Sequence, residues 1–97
     1  MNLEELVSIY IRSAEHVFAK IEIVRPSPKL ETDGILEVVG SARDYLRDAK
    51  YYREKEKFEV SLTSVAYCEG LLDALKLLGA VRFEWPSRKD QREENEE

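Results

Sequence analysis

The stretch that decides the fold is AYCEGLLDALKLLG, from Ala66 to Gly79, the most apolar part of the chain. With about 100° between successive helical residues, most of its large apolar side chains form one stripe. The stripe is Cys68, Leu71, Leu72, Leu75 and Leu78. A second face begins apolar and becomes charged within an arc of roughly 60°; its members are Leu62, Glu69, Asp73 and Lys76. A helix that is apolar on more than one side is expected to lie centrally, in contact with both neighbours.

Three helices are predicted from the spacing of apolar residues. The spacing alternates between four and three over 3–24, and the pattern is clearest over 34–55, where the apolar positions share an arc of roughly 140°. A third helix is expected over 58–79. Three helices with short connections predict an all-α fold, a three-helix up-down-up antiparallel bundle, in one domain over 1–85. The segment 86–97 is expected to be a charged, mobile tail.

The ends of the helices carry local signals. Pro26 stops the first helix because it lacks an amide donor, and Thr32 or Asp33 can cap the second. Gly79 can take the left-handed conformation that ends the third helix. Beyond it, the sequence VRFEW at 81–85 alternates apolar and charged residues, which predicts a short extended piece.

Gly70, inside the third helix, indicates a position of close packing. A glycine within a helix costs about 1 kcal/mol relative to alanine. Because it has no side chain, it lets another backbone approach closely, and Ala74 is also small. Close packing at Gly70 is therefore expected to offset the cost.

Composition argues against several classes of protein. The chain has 97 residues, a net charge of −5 and a pI near 5.0, which argues against general affinity for nucleic acid or anionic membranes. No apolar run approaches the roughly 20 residues that span a bilayer, and no secretory leader is visible, so a cytoplasmic protein is expected. High charge with few amide side chains is typical of proteins from hot environments. One cysteine and one histidine predict no metal site, no cofactor and no catalytic pair.

Two carboxylates of the third helix are the first candidate site. Glu69 and Asp73 lie one turn apart, as a metal site or acid–base pair would require. Together with Asp48 and Tyr67 they form a candidate ligand-binding set. The favoured alternative is a solvated charged edge, in which Lys76 pairs with Asp73.

A basic stripe on the second helix is the second candidate. Arg43, Arg47 and Lys50 could bind a phosphate backbone. Asp44 and Asp48 are interleaved with them, so a solvated face is the favoured interpretation and nucleic-acid binding the weaker one.

Apolar residues outside the helical seam indicate an interface. Ile9 and Ile23 lie on the outer side of the first helix, and either Phe83 and Trp85 or a second protomer could cover them. Both possibilities stay open. Cys68, on an apolar stripe, is expected to be a packed hydrophobe and not a nucleophile. The main prediction is a non-enzymatic helical module that binds another protein or itself as a homodimer.

An ordered set of residues between Ile35 and Val81 is similar to that of a known family. The set is Tyr45, Asp48-Ala49, Tyr51-Tyr52, Phe58, Tyr67, Gly70, Leu72-Asp73-Ala74 and Leu78-Gly79. It resembles a short archaeal family, domain of unknown function 357, and the resemblance implies a three-helix, left-handed up-and-down bundle with no assigned activity. The chain departs from the family pattern at Lys55-Glu56-Lys57, where a Gly-Asp turn is expected, and at Leu75, where a second glycine is expected.

Overall fold

The structure, a computed structural model, describes residues 1–25 and 30–86. Its elements are α1 (Leu3–Lys20), β1 (Glu22–Ile23), α2 (Thr32–Glu54), α3 (Phe58–Leu77) and β2 (Val81–Arg82). The two strands pair antiparallel, and the three helices form the bundle that the sequence predicts. The predicted mobile tail lies outside the described residues from 87 onward, as does Pro26.

Helix α3 lies between the other two helices. Its most extensive contact is with α2, it also packs on α1, and α1 and α2 contact each other least. The buried residues of α3 recur every three or four positions: Ser61, Val65, Cys68, Leu72 and Leu75. The predicted central position of α3 is therefore confirmed.

A buried hydrogen bond joins α2 and α3 where they are in contact. The Ser61 hydroxyl donates to the carbonyl of Ala49 at 2.6 Å, and both residues have 0% exposure. Their small side chains allow the two helices to approach closely. The bond also satisfies a hydroxyl whose burial without a partner costs about 1–3 kcal/mol.

The first helix is shorter than predicted. It ends at Lys20, and the next residues form β1, in which Ile23 lies opposite Val81 of β2. The amide of Val24 continues the pairing by donating to the carbonyl of Ala80 at 3.0 Å. The prediction that the helix reaches residue 24 was wrong because Ile21 and Val24, which flank β1, are apolar and continue the helical spacing.

The predicted cap of the second helix was also wrong. Thr32 already lies in the first turn of α2, and the N-cap residue is Glu31, which makes no side-chain capping bond. Helix α1 has such a bond, since the Asn2 side chain accepts from the amide of Glu5 at 2.8 Å.

Helices α2 and α3 end in the same hydrogen-bonded motif. After α3, Gly79 has a φ of +75°, and the amide of Ala80 donates to the carbonyl of Leu75 at 2.9 Å. This is the Schellman ending, and it confirms the predicted left-handed cap. After α2, Glu56 has a φ of +59°, and the amide of Lys57 makes the corresponding bond back to α2 at 2.9 Å. Glu56 thus lies in the conformation that favours glycine, within the turn where the family resemblance leads us to expect a Gly-Asp pair.

The two endings predict stability changes of opposite sign. Gly79→Ala should lower the free energy of unfolding by about 1 kcal/mol, because an L side chain is disfavoured in the left-handed region. No atom lies within 4 Å of the Cβ position at Gly79, so the loss comes from the backbone. Glu56→Gly should raise the free energy of unfolding by about 0.5–1 kcal/mol, because glycine adopts the left-handed conformation of this position without the penalty of an L side chain.

Urea unfolding of the two variants beside the wild type measures both effects. A Glu56→Gly variant less stable than the wild type would contradict the left-handed turn.

Candidate functional site

The segment after β2 folds back onto the bundle and covers part of α3. Phe83 is 8% exposed, Trp85 is half-buried, and their rings meet edge to face at 5.2 Å. Ile23 is half-buried and packs against the same core. Three of the four residues assigned to an interface thus lie in or against the core of this chain. The fourth, Ile9, is half-buried on α1.

The charged edge of α3 holds this returning segment. The Trp85 indole Nε1 donates to Asp73 Oδ1 at 2.7 Å. The Lys76 ammonium lies 5.0 Å from the centre of the Phe83 ring and pairs with Glu84 at 3.5 Å. The sequence suggested that Lys76 pairs with Asp73, but Lys76 pairs with Glu84 instead. Asp73 and Lys76 both attach the C-terminal segment to α3.

Glu69 lies one turn before Asp73 on this edge and is half-buried. Burial raises the pKa of the Glu69 carboxyl above its ordinary value of 4.5, and the negative charge of Asp73 raises it further. The ionised form of Glu69 is therefore less favourable in the folded chain than in the unfolded chain.

The four residues of the predicted ligand-binding set do not lie on one surface. Glu69 and Tyr67 are separated by roughly 160° around α3, since successive residues differ by about 100°. Asp48 is exposed on α2. Within residues 1–25 and 30–86, no three His, Cys, Asp or Glu side chains form a cluster that could hold a metal ion. The structure brings Glu69 and Asp73 together, without Tyr67.

Each cation of the basic stripe on α2 already has a partner within the chain. Arg43 lies over the Phe18 ring, whose centre is 4.6 Å away. Arg47 forms an ion pair with the Asp44 carboxylate. Lys50 forms an ion pair with the Glu15 carboxylate at 2.7 Å. A phosphate bound here would have to compete with these contacts.

Cys68 lies in the core with 0% exposure. Burial raises the pKa of its thiol to about 12, with a further contribution from the negative charge of Glu69. The thiol is therefore protonated at neutral pH and is inaccessible, and the residue packs as a small hydrophobe.

The side of α3 opposite the core is exposed and uncharged over most of its length. We call it the outer face of α3, and its members are Thr63, Ala66, Tyr67, Gly70, Ala74 and Leu77. Leu77 is 88% exposed and Tyr67 is 59% exposed. Toward the start of α3 the surface forms an apolar groove of about 520 Å³, lined by Leu62, Thr63, Ala66, Tyr67, Gly70 and Leu71. Among residues 1–25 and 30–86, no other segment has a heavy atom within 4 Å of the Cβ position at Gly70, so none of them makes the close approach expected there.

An aromatic pair borders the outer face on the α2 side. The rings of Tyr45 and Tyr67 stack with their centres 5.2 Å apart and an angle of 18° between their planes. The hydroxyl of Thr63 donates to the carbonyl of Glu59 at 3.0 Å, so it is already bonded within the helix. Asp73 is the one charged residue among the exposed positions of α3 after Glu59.

Comparison with known proteins assigns the chain to a family. Residues 9–81 match the family described as protein of unknown function (DUF357). The chain belongs to this family. No curated protein and no solved structure matches it. The family match confirms the resemblance, and it extends upstream of Ile35 to include most of α1.

The outer face of this DUF357 chain is the feature that sequence reasoning missed. The sequence predicts a close approach of another backbone at Gly70 and Ala74, but it does not indicate that they face away from the core beside Leu77. The available signal was the scarcity of charge on the side of α3 away from the core stripe.

Among the described residues, no helix is both long enough and apolar enough to cross a membrane.

Glu69 predicts a pH-dependent change in stability. A carboxyl whose pKa is raised by folding destabilises the fold once it ionises, so the penalty develops as the pH rises above 4.5. Glu69→Gln should therefore raise the free energy of unfolding at pH 7 by a few tenths of a kcal/mol. The gain should disappear near pH 3, where the wild-type carboxyl is protonated in both states.

Urea titrations at both pH values measure the difference, with Glu37→Gln on the exposed side of α2 as the matched control. A gain that is the same at pH 3 and pH 7 would show that ionisation of Glu69 is not its cause.

Cys68 predicts a thiol that reacts only after unfolding. In the native protein at pH 8, an aromatic disulfide reagent should label Cys68 at the rate at which the chain opens, because the thiol is buried and protonated. In 6 M guanidinium chloride the reaction should be complete within the mixing time. Immediate labelling of the native protein would contradict the packing described for Cys68.

Proposed function

We propose that this DUF357 protein is a non-enzymatic helical module that binds another protein or itself through the outer face of α3. The observation that supports the proposal is the exposure of Leu77, at 88%, on a helix side where Asp73, at its border, is the one charged residue among the exposed positions after Glu59. A helix that is apolar on all sides is normally buried, and exposed apolar patches mark contacts with other molecules. A binding surface explains why this side of α3 lacks the charges of a solvated helix.

The exposed side of α2 is the internal comparison for this argument. It carries Arg43, Asp44, Arg47 and Asp48, which are exposed, as is typical of a helix side in contact with water. The two helices belong to the same small domain. This side of α2 thus carries charged residues at the spacing where the outer face of α3 carries small or apolar ones.

Binding is favoured over catalysis and over ligand or nucleic-acid binding by the same contacts. Asp73 accepts the Trp85 indole, the basic stripe is paired within the chain, and the Cys68 thiol is buried. A ligand site at Glu69 and Asp73 is the weaker alternative, and a nucleic-acid site at the basic stripe is weaker still. The proposal also includes a thermophilic source, supported by the charged composition of 36%. An archaeal source is proposed from the family resemblance, and a cytoplasmic location from the lack of an apolar run that could span a bilayer.

Site-specific photo-crosslinking in the cells that contain the protein tests this function. A photoreactive phenylalanine analogue placed at Ala74, on the outer face, should give discrete adducts with a protein partner, whether another protein or a second copy. The same analogue at Arg47, on the charged side of α2, is the matched control and should give none of them. Leu77→Glu in the Ala74-labelled chain should remove the adducts.

The absence of adducts from Ala74, or the same adducts from Arg47, would refute the proposal. Adducts that survive Leu77→Glu would refute it as well, because they would not depend on the apolar surface.

A further inference from the structure

We propose that the partner of the outer face of α3 is a second copy of this chain, bound antiparallel, with the two α3 helices crossing at Gly70. The inference rests on the proposed function, since it names the occupant of the same surface. It is argued from the composition of the rest of the chain, the shape of the face and the charges along it.

The stretches of this sequence outside the described residues offer little apolar surface to the face. The two stretches outside the described residues read PSPK at 26–29 and SRKDQREENEE at 87–97. Apart from two prolines they consist of charged and polar residues, and such residues do not bury an apolar surface favourably. A second molecule is therefore the proposed cover.

The shape of the face fits a helix of its own kind. Ala66, Gly70 and Ala74 are four residues apart and form one row, and the row is low because its side chains are small. Leu62 and Tyr67 also line the groove beside this row. A second α3 helix, which carries the same low row, can approach closely along it.

Two-fold symmetry about Gly70 places complementary residues opposite each other. In an antiparallel pair, facing residues have numbers that sum to twice 70. Ala66 then meets Ala74 of the second copy, and Thr63 meets Leu77 of the second copy, in both halves of the contact. Small residues thus lie together at the centre, with an apolar contact at each end.

The charges select the antiparallel orientation over the parallel one. A parallel pair would bring Asp73 beside Asp73 of the second copy, and contact between like charges is unfavourable. The antiparallel pair places Asp73 opposite Tyr67, whose hydroxyl is a hydrogen-bond donor.

The length of the face limits the strength of the dimer. Helix α3 has 20 residues and is therefore about 30 Å long. One helix face of that length buries less than the roughly 800 Å² per partner of a standard interface. The dissociation constant is accordingly expected to be on the order of 10–100 µM.

Analytical ultracentrifugation of the full chain measures this association. The wild type should shift from monomer to dimer between about 1 µM and 1 mM. Gly70→Glu should weaken the dimer at least tenfold, because it places a charged side chain at the crossing point. Gly40→Glu in α2 is the matched control and should leave the constant within twofold. Neither glycine has a heavy atom within 4 Å of its Cβ position, so both variants are expected to fold, which circular dichroism verifies.

Oxidative cross-linking tests the orientation. Gly70→Cys, on the symmetry axis, should form a covalent dimer, while the buried Cys68 stays unlinked. Leu77→Cys alone should not cross-link, whereas a mixture of Leu77→Cys and Thr63→Cys chains should. Cross-linking of Leu77→Cys alone as readily as Gly70→Cys would overturn the antiparallel arrangement.

The outcomes separate this inference from the proposed function. A wild type that stays monomeric up to 1 mM, or a Gly70→Glu variant that associates as well as the wild type, overturns the second copy as partner. Photo-crosslinking from Ala74 to another protein would then still support an interaction surface on α3.

Discussion

The contact between α2 and α3 is the constraint on which the rest of the structure depends. Its centre is the bond from the Ser61 hydroxyl to the Ala49 carbonyl, made between two fully buried small residues. Because the helices approach closely there, one side of α3 packs against α2, and the adjacent side packs against α1. The opposite side of α3 is then left without a neighbour in the described chain, and that side is the outer face.

The charged edge of α3 follows from the same arrangement. The C-terminal segment leaves α3 through the left-handed turn at Gly79 and pairs with β1. It then runs beside α3, where Asp73 and Lys76 bind it through Trp85 and Phe83. In the sequence, Glu69 and Asp73 resemble a metal site. In the structure, Asp73 instead accepts a hydrogen bond from the Trp85 indole. A carboxylate with such a partner explains the pattern without requiring a ligand.

The outer face is narrow because a different feature bounds each of its two long sides. On one side the charged edge and the C-terminal segment form the border, and on the other the stacked rings of Tyr45 and Tyr67 do. Between them the surface consists of small or apolar side chains. Such a strip is narrow, which suits a single helix better than a broad protein surface. The proposed functions of the protein and the proposed partner both depend on this strip.

The sequence by itself determined the three helices, the central position of α3, the buried role of Cys68 and the cap at Gly79, because each follows from local periodicity or local backbone preference. It also determined the family. Only the tertiary structure decided that residues 22–23 form a strand, that Trp85 binds Asp73, and that Gly70 faces outward. Helical periodicity shows which positions are apolar, but it does not show which apolar positions another segment covers. That depends on how the helices cross and where the chain returns, and both are set by contacts between residues far apart in the sequence.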